Sequence, residues 1–303
     1  MAKNGETWEL DGREVQVTNL DKVFWPEEGL TKGDLLRYYR KAAPTLLPYM
    51  QDRPFIMRAW PNGIEGKNFY RWRVPEHAPE WLERFTYHLQ MSNRTAELAV
   101  VDELPELIWI ANQGAIELHP WFATRHDVER PTWMVFDLDP MEGMEFGQVL
   151  QVGAWIHEML AEVGVTATPK TSGGDGLHLF VPLEPRYTFE EVRTWMGRFI
   201  EWFEREHPGS VTDDKRFAER EGKVLIDYSQ NAVGKSIVAP YSARAKPGAR
   251  VSTPLSLDEL QAGQIRPEHF TINTVPERLT EQGDLFVNVL SAPQHLPALK
   301  VSG

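Results

Sequence analysis

The N-terminal third of the chain has short runs of apolar residues that predict strands around one helix. TWELDGREVQVT alternates polar and apolar residues on both sides of Asp11-Gly12, a pattern typical of a β-hairpin. Thr31 as N-cap and Asp34 in the first turn predict a helix over TKGDLLRYYRKAAPTLLPYM. RPFIMRAW and NFYRWRV predict strands because they are rich in aromatic and branched residues. A short helix is expected over 105–114, followed by a strand, AIELH, that ends at His119.

From residue 132 onward the pattern becomes strand, helix, strand. WMVFDLD precedes a predicted helix over 145–163, which has apolar residues on one face and is ended by Gly164. VTATPK and LHLFVPL predict two strands joined by the turn SGGDG. Thr188 and Glu191 form a capping box that opens an amphipathic helix to about Glu206. KVLIDY and SIVAPY predict two further strands, and SLDELQAG predicts a helix.

The composition is that of an ordinary globular protein, and 303 residues leave room for a large core. No apolar run approaches the length of a membrane span, and the N-terminal MAKNGETWEL lacks the apolar run of a signal peptide. We therefore expect a cytoplasmic protein that does not enter a membrane. The lack of cysteine excludes disulfides and thiolate zinc sites.

Acidic and basic residues are concentrated in different segments of the chain, which the net charge alone does not show. A formal net charge of −12 argues against a general nucleic-acid binder. Basic residues nevertheless concentrate in 53–73 and 215–250, whereas acidic residues concentrate in 75–106 and after Leu255. Two basic segments are compatible with a channel for a polyanion, although solvated surface charge would explain them equally well.

Two predicted strands end in carboxylates. Asp137 and Asp139 lie two residues apart in MVFDLDP, so their side chains share one face while Leu138 faces the core. KVLIDY likewise brings an apolar strand to an end at Asp227. If these strands are neighbours, three carboxylates converge, and hard divalent cations would relieve their repulsion. Two such ions suit phosphoryl chemistry, but a lone D-x-D motif is also typical of a turn or a surface pair.

The segment TSGGDGLH, residues 171–178, offers a cradle for phosphate. Its glycines allow backbone N–H groups to face an anion, Ser172 adds a hydroxyl donor, and His178 begins the next strand. Asp175 opposes anion binding, and a plain glycine turn with a core histidine would have the same sequence. Three basic residues around the third acid would neutralise phosphate charge: Arg220, Lys235 and Arg244.

Taken together, these motifs closely resemble the polymerase domain of bacterial DNA ligase D, which belongs to the archaeo-eukaryotic primase superfamily. The resemblance covers roughly residues 15–250 and is carried by NLDKVFWP, TKGDLLRYY, RAWPNGI, NFYRW, GAIELHPW, VFDLDP, TSGGDGLHLFVPL, LIDYSQN and VAPYSAR. It implies an α+β fold in which a primase-like catalytic core, 129–255, has mixed and antiparallel sheets flanked by helices. An N-terminal α/β subdomain, 1–128, and a C-terminal segment, 256–303, would pack on this core.

The resemblance also implies an activity. Family members add nucleotides to DNA ends and gaps during non-homologous end joining, favour ribonucleotides, and in some cases prime synthesis. The expected ligands are two divalent ions, Mn²⁺ or Mg²⁺, and an NTP or dNTP. The expected partners are DNA ends and gapped duplexes with a 5′-phosphate, Ku and a separate DNA ligase, in a nucleoid-associated cytoplasmic setting.

The matched motifs imply roles for individual residues. Asp137, Asp139 and Asp227 match the metal-binding acids. Positions that match nucleotide contacts are His119, Ser172, His178, Arg220, Gln230, Lys235 and Arg244. Asn19, Lys22 and Lys32 match residues that hold a downstream 5′-phosphate, and Phe69 and Tyr70 match aromatics that stack on template bases.

Departures from the family pattern leave alternatives open. Asp175 stands where the family often has a base, which predicts weaker triphosphate binding, and Tyr70 replaces a frequent phenylalanine. The sequence has no K-x-D-G ligase motif, so we expect either a free-standing polymerase, which Met1 and the extra tail favour, or a domain of a longer protein. A haloacid-dehalogenase-type phosphatase also ends an apolar strand in D-x-D, usually near the start of its catalytic domain. A non-catalytic factor that bridges DNA ends would use the same basic residues.

Overall fold

The computed structural model describes residues 5–89, 94–213 and 222–299, which form an α+β fold. The strands of these residues are β1 Gly5–Leu10, β2 Arg13–Thr18, β3 Val23–Trp25, β4 Leu30–Thr31, β5 Pro54–Ala59, β6 Phe69–Arg71, β7 Arg84–Leu89, β8 Arg94–Val100, β9 Ala115–Pro120, β10 Trp133–Pro140, β11 Thr168–Thr171, β12 Leu177–Pro182, β13 Val211–Thr212 and β14 Val224–Ile226. Their α-helices are α1 Lys32–Leu46, α2 Leu104–Asn112, α3 Phe146–Glu162, α4 Phe189–Glu206, α5 Leu257–Ala262, α6 Val275–Gln282 and α7 Asn288–Ser291. Among these helices, none combines the length and the apolar character that spanning a bilayer requires.

The predicted hairpin and the predicted first helix are both confirmed. β1 and β2 pair antiparallel through a two-residue turn, in which Asp11 and Gly12 have φ values of 48° and 77°. Positive φ at both positions is what a type I′ turn requires. The Thr31 hydroxyl accepts a hydrogen bond from Asp34 N, and the Asp34 carboxylate accepts one from Thr31 N. This capping box starts α1 where the sequence predicts.

β5 is the central strand of the first sheet. It pairs with β9 along one edge and with β8 and then β6 along the other, and β7 continues the sheet beyond β8. Phe55, Met57 and Ala59 are buried, so the alternation of the strand turns Arg58 to the opposite face. Arg58 lies directly across from Glu117 of β9. Because β6 is an edge strand, its aromatic side chains remain exposed.

The second sheet carries the predicted acids at its centre. Its strand order is β11-β12-β10-β14-β13, with antiparallel pairs throughout except for the parallel pair β13–β14, so this sheet is mixed. Phe136 packs edge-on against Phe199 of α4, with ring centroids 5.4 Å apart, and Leu138 faces α3. Asp137 and Asp139 alternate with these residues and therefore face the other side of the sheet.

One predicted strand is wrong. SIVAPY forms no regular strand: Ser236 makes an isolated bridge to Trp121, and the N–H groups of Ile237 and Ala239 donate to carbonyls of β9. The extended run stops at Tyr241, whose φ of 64° lies in the left-handed region. The strands predicted over NFYRWRV and VTATPK are shorter than expected, at Phe69–Arg71 and Thr168–Thr171.

The C-terminal segment closes the core. Phe286 is fully buried and packs edge-on against Tyr49 and Phe180, with ring centroids 5.4 and 5.2 Å apart. The Asp284 carboxylate accepts hydrogen bonds from the hydroxyls of Tyr49 and Tyr241, at 2.6 and 2.7 Å. A single hydrophobic cluster includes residues of both large sheets and of this segment. The acidic tail therefore contributes packing and one shared carboxylate to the core.

Candidate active site

A cavity of about 530 Å³ opens beside the acid-bearing end of β10. Seven of the residues predicted from the sequence line it: His119, Asp137, Asp139, Ser172, His178, Gln230 and Arg244. Lys235 does not line the cavity, although its neighbour Ser236 does. Arg220 lies outside the described residues. Convergent polar groups in a concave space are typical of a ligand site.

The strand pairing brings the three predicted acids to one end of the sheet. β10 and β14 are antiparallel neighbours with Leu138 opposite Ile226, and Asp227 N donates to Asp137 O at 2.9 Å. Burial, together with the charges of Asp137 and Asp227, raises the pKa of Asp139 to about 7. The carboxylates are therefore close enough to repel one another.

The donor chemistry of this group fits a hard divalent cation, because mutually repelling carboxylate oxygens are what such an ion binds. Within residues 5–89, 94–213 and 222–299, however, no group of three histidine or carboxylate side chains is arranged to hold a metal ion. The Asp227 carboxylate instead accepts hydrogen bonds from Ser229 Oγ at 2.6 Å and Gln230 Nε2 at 3.0 Å. Recruiting Asp227 as a third ligand would exchange these hydrogen bonds.

The glycine turn differs from its expected role. Gly174 N and Gly176 N both donate to Ser172 Oγ at 3.1 Å, so these two N–H groups are directed at the serine and not at an external anion. An oxygen that accepts two hydrogen bonds keeps its own O–H as a donor, which is what Ser172 contributes to the cavity. Asp175, at the tip, faces Arg250 Nη1 at 3.1 Å and Lys246 Nζ at 3.5 Å.

A buried lysine stands behind His178. Lys170 lies directly across from His178 in the β11–β12 pair, and its Nζ is 2.9 Å from His178 Nδ1 and 2.6 Å from Ser252 Oγ. Burial lowers the pKa of Lys170 and that of His178 well below their ordinary values, so the direction of the hydrogen bond between them follows the protonation of both groups. His178 Nε2 lies 3.1 Å from Asp137 Oδ1. Sequence reasoning missed Lys170, although it lies two residues before Ser172.

A second residue missed from the sequence is Glu117, which lies two residues before His119 and on the same face of β9. Burial alone would raise the pKa of Glu117, but the hydrogen bond from His119 and the charge of Arg244 outweigh it and lower the pKa to about 2. The contact could have been predicted from the sequence, because residues two apart on a strand, such as Glu117 and His119, face the same side.

Asn19, Lys22 and Lys32 form a second group, the basic cluster, in which Asn19 is exposed and Lys32 is buried. The backbone joins them: Lys22 N donates to Asn19 O at 3.1 Å, and Lys32 N donates to Lys22 O at 2.8 Å. Lys32 Nζ donates to Thr18 O at 2.6 Å. Burial and the neighbouring charge of Lys22 lower the pKa of Lys32 to about 8. The structure thus brings together the three residues predicted to hold a phosphate.

Three aromatic residues are exposed on and just after edge strand β6. Phe69, Tyr70 and Trp72 expose 47%, 63% and 39% of their surface. The Arg58 guanidinium lies between two rings, 5.0 Å from the centroid of Tyr70 and 4.9 Å from that of Trp60. Exposed rings beside arginines are typical of a surface on which nucleic-acid bases stack.

Comparisons with known proteins agree on one family. The LigD primase-polymerase domain family matches residues 31–286. The chain is 32% identical over 281 residues to the multifunctional non-homologous end joining protein LigD of Mycolicibacterium smegmatis, covering 92% of this chain and 36% of that protein. It is 32% identical over 284 residues to the bifunctional non-homologous end joining protein LigD of Bacillus subtilis, covering 93% of this chain and 45% of that protein.

The same family is found among solved structures. The polymerase domain from Mycobacterium tuberculosis ligase D, in complex with DNA, matches with a TM-score of 0.85 at 31% sequence identity. The match covers 92% of this chain and 99% of that domain. The chain therefore corresponds to nearly the whole of one solved domain but spans less than half the length of the curated relatives.

Proposed function

The chain belongs to the LigD primase-polymerase family, and we propose that it adds nucleotides, preferentially ribonucleotides, to DNA ends and gaps in a template-directed reaction during non-homologous end joining. A domain of this family is a nucleotidyltransferase, as the resemblance implied. The cavity carries the proposal, because Asp137, Asp139, the Ser172 hydroxyl and Arg244 line one space of about 530 Å³. A nucleoside triphosphate is the ligand that such a combination suits.

Asp137, Asp139 and Asp227 are the residues that would hold two divalent ions, Mn²⁺ or Mg²⁺. Such ions, when bound, lower the pKa of an attacking hydroxyl and neutralise a leaving pyrophosphate. Arg244, which donates to the Ser172 carbonyl, is held at the cavity wall where it can neutralise phosphate charge. His178 would orient Asp137, because its Nε2 lies 3.1 Å from Asp137 Oδ1.

The DNA contacts of the proposal lie outside this cavity, in residues 1–128. The cluster of Asn19, Lys22 and Lys32 would bind the 5′-phosphate of a gap, and Phe69 and Tyr70 would stack on template bases. Residues 129–255 would form the catalytic core, and the C-terminal segment 256–303 would pack on it. Ku and a separate DNA ligase are the proposed partners, at the nucleoid. The end-joining proteins named among the relatives support this setting.

Extension of a gapped duplex with a downstream 5′-phosphate tests the proposal. With Mn²⁺, the wild type should add templated nucleotides and prefer NTPs to dNTPs. Asp137→Ala should abolish addition and leave DNA binding intact, whereas Asp127→Ala, which removes an acid paired with Arg130 away from the cavity, should extend normally. Full activity of Asp137→Ala, or phosphatase activity without incorporation, would overturn the assignment.

The basic cluster favours a second candidate function, in which the protein bridges DNA ends without catalysis. Backbone carbonyls hold both lysines, with Lys22 Nζ at 2.5 Å from Pro61 O and Lys32 Nζ at 2.6 Å from Thr18 O. Tight binding of 5′-phosphorylated ends, without metal-dependent incorporation by the wild type, would favour this function over polymerisation.

A further inference from the structure

Glu117 lies between the cavity and the exposed aromatic strand. Its side chain is only 3% exposed, and each carboxylate oxygen accepts hydrogen bonds. Oε1 accepts from Arg244 Nε at 3.1 Å and from Ala245 N at 3.2 Å. Oε2 accepts from His119 Nε2 at 3.1 Å and from Arg58 Nη1 at 3.4 Å. One carboxylate is thus shared by a histidine and two arginines.

The groups that share this carboxylate face two different places. His119 and Arg244 line the cavity. Arg58 instead lies between the rings of Tyr70 and Trp60, at 5.0 and 4.9 Å from their centroids. Trp60 is buried, so the Arg58 guanidinium packs between a buried ring and the exposed ring of Tyr70.

We propose that Glu117 is a positioning residue that holds the nucleotide-contacting side chains and the template-stacking ring in place at the same time. This inference rests on the proposed function and deepens it. Through Arg244 and His119 the carboxylate shapes the nucleotide site, and through Arg58 it shapes the stacking surface. A single buried charge thereby sets the distance between an incoming nucleotide and the template strand.

The chemistry of the contacts explains why a charged acceptor is required. All four groups around Glu117 are N–H donors, and a carboxylate supplies two acceptor oxygens for them. Glutamine has nearly the same shape but replaces one oxygen with a donor, which would face another N–H group. It would also leave Arg58 and Arg244 without their shared countercharge, so both guanidinium groups would move away.

Glu117→Gln tests the proposal with two separate measurements. The first is the KM for NTP in gap extension at saturating DNA, which should rise about tenfold while kcat stays within about twofold. The second is the affinity for a fluorescein-labelled duplex with a single-stranded overhang, measured by anisotropy without nucleotide, which should fall about threefold. Arg58→Gln, which removes the contact between Glu117 and the stacking surface, should lower the affinity for the overhang and leave the KM for NTP unchanged.

Glu106→Gln is the matched control, because Glu106 is equally buried and also accepts several hydrogen bonds, from backbone N–H groups remote from the cavity. It should lower the melting temperature without moving either measurement. If Glu117→Gln does not fold, Glu117→Asp, which withdraws the charge by one methylene, is measured with the same expectation.

A folded Glu117 variant that changes only one of the two measurements, or neither, would overturn the proposal. If the wild type itself incorporates no nucleotide, the proposed function fails. The overhang measurement then tests only the effect of Glu117 on the stacking surface through Arg58. Unchanged affinity in Glu117→Gln would overturn that effect as well. The two failures are therefore distinguishable.

Discussion

Replacing Asp139 with asparagine should stabilise the protein when no divalent cation is present. Burial and the charges of Asp137 and Asp227 raise the pKa of Asp139 from 3.8 to about 7. One pH unit corresponds to about 1.4 kcal/mol, so a displacement of about three units makes the ionised carboxylate cost the folded state up to about 4 kcal/mol. Asparagine keeps the shape of the side chain and avoids this cost.

The direction of the pH dependence follows from the raised pKa. Between about pH 4 and pH 7 the folded state holds the proton of Asp139 while the unfolded chain has released it. The stability of the wild type therefore falls as the pH rises through this window, and Asp139→Asn lacks this dependence. In EDTA at pH 8.5 the variant should melt about 3–6 °C above the wild type. At pH 5 less than half of that difference should remain.

Differential scanning calorimetry measures this effect. If the carboxylates hold a metal ion as proposed, added Mn²⁺ should reverse the order, because a ligand that binds only the folded wild type stabilises it. Asp34→Asn is a control of opposite sign. Burial would raise the pKa of Asp34, but hydrogen bonds from Thr31 and Arg37 outweigh it and lower the pKa, so that variant should melt below the wild type. Equal or lower stability of Asp139→Asn in EDTA at pH 8.5 would refute the argument from repulsion.

Three further predictions concern the turn, the stacking surface and the basic cluster. Gly176→Ala should abolish extension, because its Cβ would lie 2.6 Å from Leu138 O on the acid-bearing strand; wild-type rates in gap extension would contradict this. Tyr70→Ala should weaken overhang binding about tenfold in an anisotropy titration and spare blunt duplexes. The preference for 5′-phosphorylated gaps should decline above about pH 8, where Lys32 loses its charge, and the Lys32→Arg variant should keep the preference above that pH. The ratio of the Kd values for gaps with and without the 5′-phosphate measures this preference.

Local signals in the sequence predicted much of this fold. The turn at Asp11-Gly12 and the capping box at Thr31 depend on neighbouring residues, so the pattern sufficed. The position of Asp137, Asp139 and Asp227 at the ends of apolar strands raised the condition that these strands are neighbours, and the pairing of β10 with β14 meets it. The family resemblance added His119 and Gln230, which also line the cavity.

Contacts between distant segments could not be predicted in the same way. Arg58 and Glu117 face each other only because β5 and β9 pair in one register, and Lys170 meets Ser252 across 81 intervening residues. The donors around Ser172 depend on the three-dimensional course of its turn. SIVAPY has a strand composition, but the left-handed backbone at Tyr241 overrides it.

The burial of Phe286 has a consequence for how the protein is made. Tyr49 and Phe180 lie in parts of the chain that leave the ribosome well before Phe286, yet its ring covers both of them. Asp284, which both tyrosine hydroxyls require, is synthesised equally late. The nascent chain therefore exposes these aromatic rings until the segment that carries Asp284 and Phe286 has been translated.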